Sequence, residues 1–510
     1  MVKPIFDEEN PKENNWLFRL ANRLHIPTSR KVIRDDLLFK VDESIDQNLL
    51  DSSERSLNTR RYLNQASVEH VQNPCTGQSE VNVEVRDVWT LKPKLSFSHS
   101  GGNSNSNYGF EDSNFLGTGK AVSIMQFSNE QRSGSIIDYH DPNTGAYNSQ
   151  LRLRYSDNDD GIEKRITLNR PFLDLSTKWT GEVNHDDTTM SESSYVGGEK
   201  IANFGHRKIV NSANYGRRID SFSVDGKYAN RVILGVSKEE DLFTPSVDSL
   251  TSRVLPEGRS NKSLWFEYQN IHDGYIKTSN VRQINRAEYF NLGNQFRARF
   301  GFVTSNLNSN DDGYIIQAEN NVGTILNENH MILHNIVFNG HYTDNGLVDS
   351  VLESDVSWYW KNISYGQFLT QLSASKGYSL YQDHNIVLDG DTGMRGYPSH
   401  YQTGDRKVLF TMEQHFFGER EWFSLFHAGT AVFFDAGRAW GDANGSALAE
   451  TSGNTGWIKD IGIGLRLSPT RTGNKEEGAH GVLHMDIVKP LDRSDGISNY
   501  QWRLSTEKRF

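Results

Sequence analysis

Phe296-Arg-Ala-Arg-Phe-Gly-Phe302 places Phe296, Ala298, Phe300 and Phe302 on one face of an extended chain, with Arg297 and Arg299 on the other. Side chains alternate across a strand, so this run reads as β with one apolar and one charged face. Leu151-Arg-Leu-Arg-Tyr155 and Leu264-Trp-Phe-Glu-Tyr268 follow the same rule, as do residues 95–98, 120–127, 481–488 and 500–510. Polar stretches rich in Gly, Asn and Asp separate these runs, at 101–107, 156–161, 185–194, 308–313 and 470–478. From residue 91 onward the period is two nearly throughout. A soluble sandwich would turn the polar face to water, whereas an outer-membrane barrel turns the apolar face to lipid and lines a wet lumen with the polar one. Roughly 420 residues of successive hairpins are long for one sandwich and suit a mainly β, antiparallel barrel of about 16 strands. The chain ends on Phe510, after a run bearing Tyr500, Trp502 and Leu504. Such a strand fits a barrel that closes on its first strand, near Leu95 and Phe97.

Composition narrows the classes. Among 510 residues, Lys plus Arg number 54 and Asp plus Glu 65, a net charge of −11. That leaves no overall basic field for nucleic acid. Hydrophobic residues are 35%, aromatics 11% and glycines 43 in number, too aromatic for a disordered chain and too lean for a helical membrane protein. The longest apolar runs, such as residues 431–434, fall far short of the roughly 20 residues of a spanning helix. Cys75 stands alone and makes neither an internal disulfide nor a cysteine-rich zinc site. Residues 1–15 carry no apolar signal-peptide core, and the expectation is that a signal peptide and part of a first strand lie upstream.

The first 91 residues have a different texture. Ser29 is placed to cap a helix over 31–39 bearing Ile33 and Leu37, and Asp46 to cap one running to about residue 63 with Leu50 and Leu57 on one stripe. Strands over 67–72 and 80–89 follow, the second alternating Val81, Val83 and Val85 with polar residues. Residues 73–79 supply the turn. Ahead of this unit, 16–25 reads as an extra helix and 2–6 as the one stretch able to serve as an opening strand.

Several short segments then fall into an order. Gly390-Asp-Thr-Gly-Met-Arg-Gly-Tyr397 lies in a loop region, and Glu413 follows in a strand-like run. Phe433-Phe-Asp-Ala-Gly-Arg-Ala-Trp440, Ile461-Gly-Ile-Gly-Leu-Arg-Leu467 and the terminal strand complete the series. This order resembles the C-terminal half of the Omp85 superfamily of outer-membrane barrels, also called the bacterial surface antigen D15 family. The resemblance implies a POTRA-like periplasmic domain over 1–91 and a barrel over 92–510. It also implies that the Arg-Gly-Tyr loop folds into the lumen. There Arg395 meets Asp435 and Glu413, and Gly396 supplies a backbone geometry closed to other residues. Tyr397 packs on the inner wall, and Gly437 permits close approach of the loop. Period two puts Phe433 on the same face as Asp435, so that it points inward too unless a local bulge turns it away.

The family's work, by the same resemblance, is assisting insertion or translocation of proteins at the outer membrane. Its partners are outer-membrane lipid, unfolded or nascent clients and accessory subunits, and it needs no cofactor. The POTRA-like edge takes an extended client as an added strand, and the seam between Leu95, Phe97 and Trp502, Leu504, Phe510 loosens. A gated pore or lipid-handling barrel is the alternative, and a secreted soluble β-protein a third reading. Enzymatic signatures are weak. No Gly-x-Ser-x-Gly or His-Glu-x-x-His occurs, and Gly117-Thr-Gly-Lys120 lacks phosphate-loop spacing and reads as a turn. His480, His484 and Asp486 read as lumen polar residues before a metal cluster, and Asp383, Asp389 and Asp391 as an acidic loop before a calcium site. No catalytic activity is expected.

Overall fold

The computed structural model describes residues 2–506 apart from 11–13, 41–45, 73–78, 101–102, 130, 146–148, 197, 220–226, 247–254, 306–311, 364–365, 442–455, 471–481 and 493–496. An α+β unit comes first, in the order β1 (Val2–Lys3), α1 (Trp16–Leu24), α2 (Arg30–Asp35), α3 (Gln47–Thr59), β2 (Leu63–Gln72) and β3 (Ser79–Asp87). Its sheet runs β1-β3-β2, with β1 parallel to β3 and β2 antiparallel. The seven-residue spacing of Leu50 and Leu57 puts both on the inner stripe of α3, where they pack with Ile33, Leu63, Val68 and Val85. Ser29 caps α2 by accepting the Val32 N–H. That helix stops short of residue 39, and the following Asp36 is buried against the Tyr62 hydroxyl (2.5 Å) and Arg60 (2.7 Å). β2 begins earlier than its alternation suggests, since a bulge between Asn64 and Ser67, with Gln65 at φ 57°, breaks the period there.

From Leu91 the described strands form one closed antiparallel barrel. β4 (Leu91–Ser100), β5 (Asn103–Asp112) and β6 (Ala121–Ser128) open the ring, and Gln501–Thr506 ends it. Twenty strands take part, against the expected sixteen or so. Strands between Leu91 and Arg170 are only eight to ten residues long, whereas a later one reaches 21, so a single average hairpin length undercounts the first part. Two small hairpins are insertions between ring strands: Tyr275–Ser279 with Ala287–Asn291, and Ile386–Leu388 with Gln402–Gly404.

The wall has the polarity of a membrane barrel. Leu264, Phe266, Phe300, Phe302, Ile461 and Ile463 are exposed on its outer side, while Glu267, Asp460 and Arg466 on alternate positions are buried inside. Apolar side chains outside and ion pairs inside are stable where the outer solvent is hydrocarbon. No helix among the described residues is long and apolar enough to cross a membrane, which says nothing of strands.

The α+β unit is fixed to the ring at the β5–β6 connection. Ser29 N–H donates to Gly117 O (3.0 Å), Asn114 Nδ2 to Thr28 Oγ1 (2.7 Å), and Arg61 pairs with Glu111. The ring's thinnest join is the closing one. Gln501–Thr506 pairs with its preceding strand at six positions, but with β4 only at Arg503–Ser98 and Leu504–Phe97 among the described residues.

Candidate functional site

Four neighbouring strands, Arg406–Trp422, Phe426–Trp440, Ile458–Pro469 and Leu483–Pro490, turn Glu413, Asp435, Asp460, Arg466 and Asp486 inward, all buried. The insertion before them, residues 379–405, folds onto this wall. Asp389 organises it: its carboxylate accepts the N–H groups of Asp391 (3.0 Å), Thr392 (2.9 Å) and His400 (2.8 Å). Gly393, at φ +123°, turns the chain where another residue would be strained. Met394, Arg395 and Tyr397 are thereby pressed against the wall, none more than 1% exposed.

The Arg395 guanidinium forks onto Asp435, with Nε to Oδ2 at 2.7 Å and Nη2 to Oδ1 at 3.1 Å, and its Nη1 donates to Glu413 Oε2 at 3.1 Å. Glu413 Oε1 in turn accepts from Arg466 Nη2 (2.8 Å) and lies 2.8 Å from His415 Nε2. Arg466 Nη1 reaches Asp486 at 2.5 Å. Gly396 N–H donates to Asp460 Oδ2 (2.9 Å), and the Tyr397 hydroxyl sits 2.8 Å from Lys459 O and 2.9 Å from Asp492 O. Charge-assisted bonds of this kind contribute about 1.5–3 kcal/mol each. The larger consequence is that the loop supplies the counter-charge for buried Asp435, so its departure leaves that carboxylate without its cation, while Glu413 keeps Arg466.

The structure refines three details of the sequence reading. Phe433 does point inward, with no bulge, because the register from Arg406–Trp440 to Phe417–Gly429 is unbroken. Its ring lies under the Arg395 guanidinium, 3.3 Å from centroid to Cζ, so the aromatic is part of the arginine's seat. Gly396 has no positive φ. Its value is proximity, since a Cβ there would lie 3.1 Å from Asp460 Cβ. At Gly437 a Cβ would meet Leu388 Cδ2 at 2.9 Å, so the close approach involves the small hairpin of the loop.

Arg466, Asp460 and Asp486 were not singled out from sequence as partners of the loop. A signal existed in Ile461-Gly-Ile-Gly-Leu-Arg-Leu467, where period two puts Gly462, Gly464 and Arg466 on one face. A Cβ at Gly462 would lie 2.3 Å from the Phe433 ring, and at Gly464 2.0 Å from Asp486 Oδ1. Those glycines make room for the network. Asp486 therefore serves Arg466, His480 lies outside the described residues, and no metal cluster occurs among the described residues. Asp383 forks onto Arg259 at 2.7 Å twice.

At the seam, Leu504 faces Phe97, and the Phe97 and Trp502 rings stack at 5.1 Å beside an exposed Leu95 on the outer side. Phe510 lies outside the described residues. Between Trp502 and Leu504, Arg503 Nη1 donates to Gly390 O at 3.2 Å. The loop is thus bonded to the closing strand at one of the two described positions where that strand meets β4.

The other insertion, with strands Tyr275–Ser279 and Ala287–Asn291, had no counterpart in the sequence reading. It lies across the mouth at the end where the α+β unit sits. Val281 and Phe290 pack against Met331, Tyr359 and Leu369 of the wall, Gln367 Nε2 donates to Val281 O (3.1 Å), and Asn285 Nδ2 to Gly418 O (2.9 Å). Glu288 closes the hairpin by accepting the N–H groups of Val281 (2.9 Å) and Arg282 (3.0 Å), and burial pushes its carboxyl up from the usual range. Arg55 to Asp273 (3.4 Å) and Arg286 to Asn64 (3.3 Å) tie the hairpin to the α+β unit. A cleft remains between Asn64 and Ser67 of β2, Arg286 and Tyr289 of the hairpin, and Glu421 and His427 of the wall.

No family model and no curated protein matches this chain. Solved structures similar to it include BamA from Haemophilus ducreyi lacking POTRA domains 1–3, at 12% identity and a TM-score of 0.40, covering 93% of this chain and 81% of that one. CdiB from Acinetobacter baumannii is 12% identical with a TM-score of 0.45, covering 94% and 71%. CdiB from Escherichia coli is 10% identical with a TM-score of 0.44, covering 94% and 74%.

Proposed function

We propose that this protein is an Omp85-type barrel of the bacterial outer membrane that assists insertion or translocation of proteins, with the α+β unit acting as a POTRA-like receptor in the periplasm. One observation carries the reading: the loop that fills the lumen beside the Arg395 network is also bonded, through Arg503, to the strand that closes the barrel. Lumen contents and seam are then a single mechanical unit. A client that displaces the loop loosens the closing strand, and one that pairs at the seam pulls on the loop. The outer edge of β2 borders the cleft leading to the mouth and suits capture of an extended chain by main-chain hydrogen bonds. Burial of lipid-facing surface and formation of client hydrogen bonds supply the free energy, so the scheme requires no cofactor.

A passive open pore fits the geometry less well, because the loop and the mouth hairpin both occupy the passage. Comparing the outer-membrane and secreted proteomes with and without the gene tests the proposal. Loss of one or a few barrel or surface proteins is the expected result. An unchanged proteome with altered permeability or lipid composition would move the assignment to a gated pore or lipid-handling barrel.

A further inference from the structure

Helix α1 buries one side and leaves the other bare. Phe18 stacks on Phe6 (centroids 4.1 Å apart, planes 5° apart) and packs with Ile5, Ala21 and Trp89. Trp16, Leu17, Leu20, Leu24 and the following Ile26 are exposed, Trp16 to 71% and Leu24 to 65%. Their spacing puts Trp16, Leu17, Leu20 and Leu24 along one face of the helix. Five exposed apolar side chains on so short a segment are costly in water and call for a cover.

Two further observations say what the cover is. The apolar face does not stand alone. Thr28 and Ser29 bind the β5–β6 connection, and a Cβ at Gly117 would lie 3.3 Å from Ile26 Cγ2. Phe115 and Leu116 on that connection are exposed beside Ile26 and continue into Leu91, Leu95, Tyr108 and Phe110 on the outer wall of β4 and β5. The bare face of α1 is thus an extension of the barrel's apolar belt. Charge gives the second observation. Residues 14–34 hold Arg19, Arg23, Arg30, Lys31 and Arg34 and no Asp or Glu, in a chain of net charge −11. All five cations are exposed. An apolar face flanked by cations is the pattern of a helix lying in a bilayer interface among anionic headgroups.

We propose that α1, together with Phe115 and Leu116, docks on the anionic phospholipid surface of the leaflet next to the α+β unit, holding that unit against the membrane beside the barrel mouth. The proposal rests on the barrel reading above and adds a second, interfacial contact to it. Held there, the unit keeps the outer edge of β2 and the cleft at a fixed height over the mouth.

The test uses the full chain, folded into phosphatidylcholine vesicles with or without phosphatidylglycerol. In a Cys75→Ser background, single cysteines replace Leu20, Phe110 or the exposed Glu69, each carrying a bimane label. The label at Leu20→Cys is expected to be quenched by nitroxide lipid as strongly as at Phe110→Cys, several-fold more than at Glu69→Cys, and more so with phosphatidylglycerol. Arg19→Gln with Arg23→Gln is expected to weaken docking by about fivefold per cation removed, in phosphatidylglycerol only. Quenching at Phe110→Cys but only aqueous iodide quenching at Leu20→Cys would overturn the proposal and leave the barrel reading standing. Protection of Leu20→Cys from both quenchers would overturn it in favour of burial against a second copy of the chain. Absence of lipid quenching at Phe110→Cys would overturn both.

Discussion

Arg395 anchors the lumen loop, and its replacement separates the effects that hold it there. In Arg395→Ala three charge-assisted bonds and the contact with Phe433 vanish, and Asp435 keeps the Thr411 hydroxyl (2.8 Å) but loses its cation. Removing one partner of a buried ion pair costs about 3–5 kcal/mol, which lowers the closed-to-released ratio of the loop by about two to three and a half orders of magnitude. Arg395→Lys keeps the charge but cannot fork onto Asp435, so about 2 kcal/mol is expected to be lost. Arg395→Met with Asp435→Asn removes charge from both sides, while Glu413 keeps Arg466 and His415, and is expected to recover most of the loss. Limited proteolysis within 379–405 of the detergent-folded barrel reads the loop, and the temperature at which the compact gel band gives way to the unfolded one reads the barrel. Cleavage should rise in the order parent, double variant, lysine, alanine. An alanine variant within about 0.5 kcal/mol of the parent, with unchanged cleavage, would refute the account of the network.

Three other outcomes follow from the same geometry. Tyr397→Phe removes a hydroxyl held between Lys459 O and Asp492 O and should cost about 1–2 kcal/mol by the same gel midpoint, without releasing the loop. Gly462→Val places a side chain on Phe433 and should displace the ring and Arg395 with it, so that cleavage within 379–405 approaches that of Arg395→Ala. The mouth hairpin should be sensitive to pH. Burial raises the Glu288 pKa in the folded state, so the folded form binds the proton more tightly than the open form and closure weakens as pH rises above the usual carboxylate value. A label at Asn285→Cys should therefore become more accessible as pH rises above the usual carboxylate range, and Glu288→Gln should flatten the dependence.

The barrel was legible in the sequence because lipid and lumen impose opposite demands on alternate residues, and a run such as Phe296–Phe302 records them directly. Arg395, Glu413 and Asp435 were reached through motif order. Strand count was not legible, since polar residues 103–107 and 185–194, which read as linkers, lie within strands Asn103–Asp112 and Trp179–Val196. Period two correctly placed Phe433 inward, but nothing in the sequence put its ring beneath the Arg395 guanidinium. Here the ring is the arginine's support. The mouth hairpin was hidden for a different reason: residues 275–291 alternate weakly, and their partners Met331, Tyr359 and Leu369 are remote in the chain. The lipid-facing side of α1 was present as a helical stripe, but only the contact of Thr28 and Ser29 with the β5–β6 connection makes it continuous with the barrel wall.

A seam that opens while the protein works is stopped by a covalent lock across it. Leu504 and Phe97 are facing partners. Antiparallel partners lie about 4.5–5.5 Å apart at Cα, within the span of a disulfide. Phe97→Cys with Leu504→Cys, in a Cys75→Ser background, should restore client assembly to a deletion strain when reduced and fail to do so when oxidised. Equal restoration in both states would contradict the claim that the seam opens.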